Sequence, residues 1–430
     1  MLPLQQYKIN YIKIVEWGKL IVITGSAQVA VQAISLISSI LIIRLLPTQE
    51  YALYTLANTM LGAMTVLADG GISTGVMSQG GKVWQDREKL GAVLATGLDL
   101  RKKFAVGSLL IAAPILLFLL HKHDASWLMS VLIIISIIPA FLTTISSTLL
   151  EIVPKLLQEI KALQKIQVLV NIGRLLLACL TIFVFPYSFL AILAAGIPQI
   201  WANKRIANLV AVYTDHKQNP DKNVRTEILI IVKKVLPGAI YYCFSGQITI
   251  WLISIYSSTN ALAQAGALGR LAILFNIITV VFSTLIVPRF SRINDDFRKL
   301  LNSYLLINLL IISLLIVLVI LVWLFSDQIL WVLGPRYINL KNELFLITAG
   351  SALNFISSCA FMLCAARGWV LQPFISLPII TLIIITSIML VDVSTLDGVL
   401  LLTIFTATGQ ILLNNIYSFF KISSVRLKAI

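Results

Sequence analysis

Apolar stretches of about 20 residues recur along the whole 430-residue chain, and this spacing limits its possible folds more than any other feature. A helix rising 1.5 Å per residue crosses a bilayer core of about 30 Å in that length. Within hydrocarbon every backbone N–H and C=O must be satisfied internally, so only helices or a closed barrel can span. The runs are continuous and show none of the alternation that barrel strands require, which predicts an all-α, polytopic membrane protein. Composition agrees: 59% of the residues are hydrophobic and 12% charged, whereas charged residues make up about a quarter of soluble domains.

Cut at its polar breaks, the sequence predicts about twelve transmembrane helices. In the first half they run from Leu20 to Leu46, Tyr51 to Ser78, Phe104 to Leu120, Trp127 to Leu150, Ile166 to Phe185 and Tyr187 to Val212. In the second half they run from Val235 to Tyr256, Leu262 to Val287, Tyr304 to Phe325, Leu344 to Ala366, Trp369 to Val391 and Leu396 to Phe420. The longest polar run, Asn203 to Lys234, lies near the midpoint and contains an Asn219-Pro220-Asp221 turn. This organisation reads as a six-helix half over residues 1–212, a cytoplasmic linker over 213–234 and a second six-helix half over 235–430. An even number of spans per half makes the two parallel pseudo-repeats around a central cavity, an arrangement known among transporters. Pro47-Thr48-Gln49-Glu50-Tyr51-Ala52 and Ser258-Thr259-Asn260-Ala261-Leu262-Ala263 occupy matching places, offset by 211 residues.

The formal net charge of +15 raises the possibility of nucleic-acid binding. Its distribution argues otherwise. Of the 33 Lys and Arg, 27 fall in segments assigned to one side, with Arg44, Lys122, Arg336 and Lys341 on the other and Arg174 and Arg270 inside spans. That asymmetry is the positive-inside pattern, with both termini cytoplasmic and no nucleic-acid partner expected. Cys179, Cys243, Cys359 and Cys364 lie in apolar spans without metal-ligand spacing and read as packing residues. His121, His123 and His216 fall in loops. With no phosphate-binding loop, metalloprotease helix or nucleophile elbow, neither an enzyme nor a cofactor is expected.

Function then falls to polar residues inside the bilayer, which cost energy there and face a bundle interior or cavity. Gln28, Gln32, Ser35 and Ser39 share one face of the first span. Asn58, Gly62, Thr65, Asp69 and Ser73 do so in the second, Gln167, Asn171, Arg174, Ala178 and Thr181 in the fifth, and Thr403, Thr406, Gln410 and Asn414 in the twelfth. Such stripes either line a hydrated cavity or bond helices to one another. Asp69 is read either as the structural ion-pair partner of Arg174 or as an ion-coupling carboxylate. Arg270, eight residues into the eighth span, has no evident acidic partner.

Arg44-Leu45-Leu46-Pro47, Glu50-Tyr51-Ala52 and Asp69-Gly70-Gly71 together resemble the opening hairpin of the Wzx-type polysaccharide flippases. Pro288-Arg289-Phe290-Ser291, and Gly334-Pro335 with Tyr337, are similar to second-half signatures of that group, itself part of the multidrug, oligosaccharidyl-lipid and polysaccharide exporter superfamily. The resemblance implies a flippase for undecaprenyl-diphosphate-linked oligosaccharide in the bacterial inner membrane, serving O-antigen, capsule or exopolysaccharide synthesis. A polysaccharide polymerase and a chain-length regulator are then implied partners, beside membrane lipid. In that reading Arg174 and Arg270 contact the anionic cargo and Asn171, Gln28, Gln32 and Asn58 meet its sugars, with Asp69 as the coupling residue. A cation-coupled multidrug exporter of the same fold is the nearest alternative, and a membrane-embedded glycan polymerase or acyltransferase a second.

Overall fold

A computed structural model describes residues 25–428 except 158, 216, 217, 292, 294, 295, 368 and 370. Lys8, Lys13, Trp17, Lys19, the start of the first span and His216 therefore lie outside the described residues. The described chain is helical throughout and divides into two compact units, Met1–Ser245 and Gly246–Ile430.

The first unit opens with α1 (Gly25–Leu45), followed by α2 (Thr48–Asp69), α3 (Ile72–Val83), α4 (Arg87–Lys122), α5 (Trp127–Leu150) and α6 (Ile152–Leu156). After these come α7 (Ile160–Val184), α8 (Ser188–Ala211) and α9 (Lys222–Tyr256), whose C-terminal part enters the second unit. Apolar side chains gain nothing by leaving lipid for one another, so helices in a bilayer associate through close packing and polar bonds. Accordingly α8 packs against both α5 and α7, and α2 against α4. At the α5–α8 crossing a Cβ on Gly196 would stand 3.2 Å from the Cβ of Ala140, so glycine permits the approach.

The second expected span is not continuous. Gly70 and Gly71 adopt φ of +48° and +95° and end α2, so the chain turns before α3. Glycine tolerates both conformations, which side-chain-bearing residues rarely adopt. The start of α4 is fixed by Asp86, whose carboxylate accepts the backbone N–H groups of Glu88 and Lys89. Those amides and the Lys89 ammonium hold the Asp86 carboxyl below its ordinary range.

The stretch read as a linker carries ordered contacts to the first unit. Asp215 donates its N–H to the Arg87 carbonyl, and Asp221 donates its own to Thr96 Oγ1. Asp221 also caps α9 by accepting from Asn223 and Val224. The first turns of α9 then join a buried cluster in which Ile228 and Val232 meet Ile72, Val76, Val93 and Leu100.

The second unit contains α10 (Thr259–Gly269), α11 (Ile273–Val281) and α12 (Val287–Ser291), then α13 (Phe297–Leu324) and α14 (Ser326–Leu333). It ends with α15 (Lys341–Ala365), α16 (Pro373–Leu390) and α17 (Leu396–Lys428). A 3-10 turn, Arg270–Ala272, and a π turn, Phe282–Ile286, break the eighth expected span into pieces. The 211-residue offset of the sequence repeat carries Gly71 onto Phe282, so corresponding spans of the two halves are interrupted at matching places. α15 packs against α13 and α17 around a core that includes Phe282, Phe290, Tyr304 and Phe355.

Among the described residues nine helices are long and apolar enough to cross a membrane. They cover nine of the twelve expected spans. The sixth, α8, contains Pro198, Lys204 and Arg205; the seventh is the C-terminal part of the long α9; the eighth is broken. The chain is thus an all-helical, multi-pass membrane protein, with irregular backbone where the sequence reading places uninterrupted helices. The outer loop expected at Ser326 to Glu343 also carries structure: α14, tied at its start by a 2.7 Å ion pair between Asp327 and Lys341.

Candidate functional site

The polar stripes of α1 and α7 face one another across a cavity of about 360 Å³ inside the first unit. From α1 come Gln28, Gln32 and Ser35, and from α7 come Gln167, Asn171 and Arg174. Both sets obey helical spacing, so one rotation of each helix turns these residues inward together. Glu151, at the junction of α5 and α6, and Gln199 of α8 complete the polar wall. Val31, Ile166, Val170, Ala202 and Ile206 supply its apolar part.

Some of these groups bond to each other. The Gln28 amide donates to Gln164 and Gln167 at 3.4 Å, joining α1 to α7. Gln167 donates to Glu151 at 3.4 Å, and Lys155, one turn on, forms a 2.9 Å ion pair with the same carboxylate. Arg174 donates through Nη2 to Gln199 Oε1 at 2.5 Å, and Gln199 passes the bond on to Ser147 Oγ at 2.9 Å. The guanidinium is thereby held between α7, α8 and α5. Other groups remain open: Arg174 Nε is buried without a partner. Asn171 donates to the Gln167 carbonyl within its own helix, leaving its side-chain oxygen for the cavity.

Four of the seven sequence-derived site residues, Gln28, Gln32, Asn171 and Arg174, therefore meet in one place. The other three do not. Asn58 bonds the carbonyl of Tyr54, one turn back in α2, as a polar residue does when it satisfies itself on its own helix. The expected Asp69–Arg174 ion pair is absent, since Asp69 pairs with Arg101. Arg101 is buried, with its side chain 3% exposed, and also donates to Ser73 Oγ at 2.9 Å, to Thr148 Oγ1 at 2.7 Å and to the Ile145 carbonyl. By sequence Arg101 falls between the second and third expected spans, among the 27 charges read as lying on one side. It instead turns into the bundle, because α4 is one 36-residue helix whose buried face continues through Leu100 and Ala105.

Arg270 lies in the second unit, in the 3-10 turn that follows α10. At that break regular α-helix geometry does not set the direction of its side chain. It is half-buried and has a polar or ring contact of its own, so it is not the unpaired charge that sequence reading suggested. In the twelfth span, Asn414 donates to Ser357 Oγ at 2.9 Å and Thr403 lies 3.4 Å from Thr249 Oγ1, so this stripe bonds helices together.

Sequence reasoning missed Glu151, Gln199 and Arg101. Glu151 looks like half of a solvent-exposed i,i+4 pair with Lys155, and its position at the end of a 24-residue apolar helix was the available signal. Gln199, Ala202 and Ile206 share helical spacing along α8, a stripe as regular as the others. Among the described residues no group of His, Cys, Asp and Glu could hold a metal ion.

The fold has solved counterparts. A multidrug resistance MATE family transporter of the MOP superfamily, in its inward-facing conformation, superposes with a TM-score of 0.73 at 15% identity, covering 93% of this chain and 96% of its own. The lipid II flippase MurJ, in an inward closed conformation, also gives 0.73, at 13% identity over 94% of this chain and 87% of its own. A MOP superfamily transporter from Pyrococcus furiosus, described as having a binding pocket of reverse polarity, gives 0.63 at 14% identity, covering 95% and 96%. The architecture is similar to that of these transporters. No family model and no curated protein matches the sequence.

Proposed function

We propose that the chain is a flippase moving undecaprenyl-diphosphate-linked oligosaccharides across the bacterial inner membrane by alternating access, for the synthesis of O-antigen, capsule or exopolysaccharide. The observation that carries this reading is the cavity wall, where side-chain amides from three helices surround a single guanidinium inside a membrane bundle. Amides both donate and accept, which suits hydroxyls, whereas a site for an apolar drug has little use for five of them. The shared architecture with a lipid II flippase supports the same reading. Arg270, in the broken eighth span, is the candidate contact for the diphosphate, whose oxygens suit a planar guanidinium fork. A polysaccharide polymerase and a chain-length regulator would take the product on the far side.

A cation-coupled multidrug exporter is the second reading, and Glu151 is the observation that favours it, because a cavity carboxylate attracts cationic drugs. Its ion pair with Lys155 weakens that attraction. The deciding experiment reconstitutes the purified protein in liposomes and follows the leaflet exchange of a lipid-linked oligosaccharide beside the uptake of a cationic dye. Exchange of the lipid without dye uptake is expected, and Arg270→Ala should abolish it while Arg270→Lys keeps part. Dye uptake without lipid exchange would overturn the flippase reading.

A further inference from the structure

Resting on the flippase reading, we infer that the cavity of the first unit is a saccharide subsite, which takes a sugar ring of the cargo and not its diphosphate. The inference comes from subtracting the bonds the protein makes with itself. Gln28, Gln167 and Gln199 are engaged with protein partners, and Glu151 is held by Lys155 and Gln167. Among the described residues, the amide of Gln32 and the hydroxyl of Ser35 make no hydrogen bond, the side-chain oxygen of Asn171 is unused, and Arg174 Nε is orphaned.

That remainder is a mixed set. Gln32 and Asn171 present carbonyl oxygens that only accept, Gln32 and Arg174 present N–H groups that only donate, and Ser35 does either. A diphosphate carries acceptors alone, so it would leave the two amide oxygens facing like partial charges and would lie in the same wall as Glu151. A sugar ring carries hydroxyls that donate as well as accept, and can satisfy both kinds at once. A half-buried amide that a bound ligand cuts off from water and leaves unpaired costs about 1–3 kcal/mol, which penalises a ligand without donors. Val170, Ile206 and Val31 offer an aliphatic surface for the C–H side of a ring. The volume of about 360 Å³ falls at the small end of the roughly 300–1,000 Å³ typical of small-ligand pockets, enough for part of a glycan and not for a whole lipid-linked repeat.

The test compares two ligands on the same purified protein in nanodiscs: undecaprenyl diphosphate without sugar, and the same lipid bearing its oligosaccharide. Gln32→Ala is the informative variant because Gln32 forms no internal bond whose loss would disturb folding, and Ser35→Ala is a second, because the Ser35 hydroxyl likewise makes no bond among the described residues. Each should weaken binding of the glycosylated lipid by about tenfold, in line with one lost polar contact in a desolvated site. Binding of the sugar-free lipid should stay within about twofold. Equal weakening for both lipids would assign the cavity to the diphosphate and overturn the inference while leaving the flippase reading intact. Unchanged binding of both would remove the cavity from the cargo path, with the same consequence. If the unaltered protein bound neither lipid, the flippase reading would fall, and the saccharide subsite with it.

Discussion

Arg101 satisfies its charge through four neighbours, Asp69, Ser73, Thr148 and the Ile145 carbonyl, drawn from the α2–α3 junction and α5. A charge placed mid-helix in a bilayer costs about 2.5–3.5 kcal/mol on insertion scales, so it persists where bonds of this kind repay it. Removing one partner leaves the other buried and uncompensated, at a cost of about 3–5 kcal/mol. Asp69→Asn and Arg101→Met should therefore each lower the melting temperature of the detergent-purified protein, and the double variant should recover much of the loss. Losses that simply add would show that the two residues act separately. Arg174, by contrast, is held by the neutral Gln199, so its charge stays available to the cavity. The spacing along α7 made Arg174 legible as a cavity residue. Its partner was not legible, because Gln199 lies 25 positions away on a neighbouring helix.

The helices that break carry as much information as those that cross. Gly71 combines φ of +95° with a neighbour so close that a Cβ would stand 2.7 Å from the Cβ of Val235 on α9. Gly71→Ala thus meets two penalties at once, a left-handed backbone and an overlap with a helix that packs at this point, and should destabilise by about 2 kcal/mol or more. Gly107→Ala, in the middle of α4 with nothing within 4 Å of the added carbon, is the matched control and should stay within about 0.5 kcal/mol. Thermal unfolding of the two variants checks the contrast, and equal stability would mean that the α2–α3 turn is not held against α9. In the sequence, Gly70-Gly71 falls inside the expected second span, Tyr51 to Ser78, and only their dihedral angles reveal a turn.

The distribution of Lys and Arg orients the molecule as a whole. With Arg101 turned into the bundle, 26 of the 33 still fall in segments read as one side, so the linker should face the cytoplasm. A cysteine introduced at Gln218 should then resist a membrane-impermeant thiol reagent in intact cells, while one at Asn260, before α10, should react; labelling at Gln218 from outside would reverse the orientation. The membrane class, the places of nine of the twelve expected spans and the shared face of the α1 and α7 stripes were legible in the one-dimensional pattern, because hydropathy and periodicity are sums over neighbours along the chain. Which stripes meet was decided by the rotation and crossing of separate helices. The stripes of α1 and α7 converge on a cavity, whereas that of α17 bonds to a neighbouring helix, although all look alike when written as sequence. The pairing of Asp69 with Arg101 and not Arg174 has the same origin: a charge selects its partner by distance across the bundle, and distance across the bundle is set by packing.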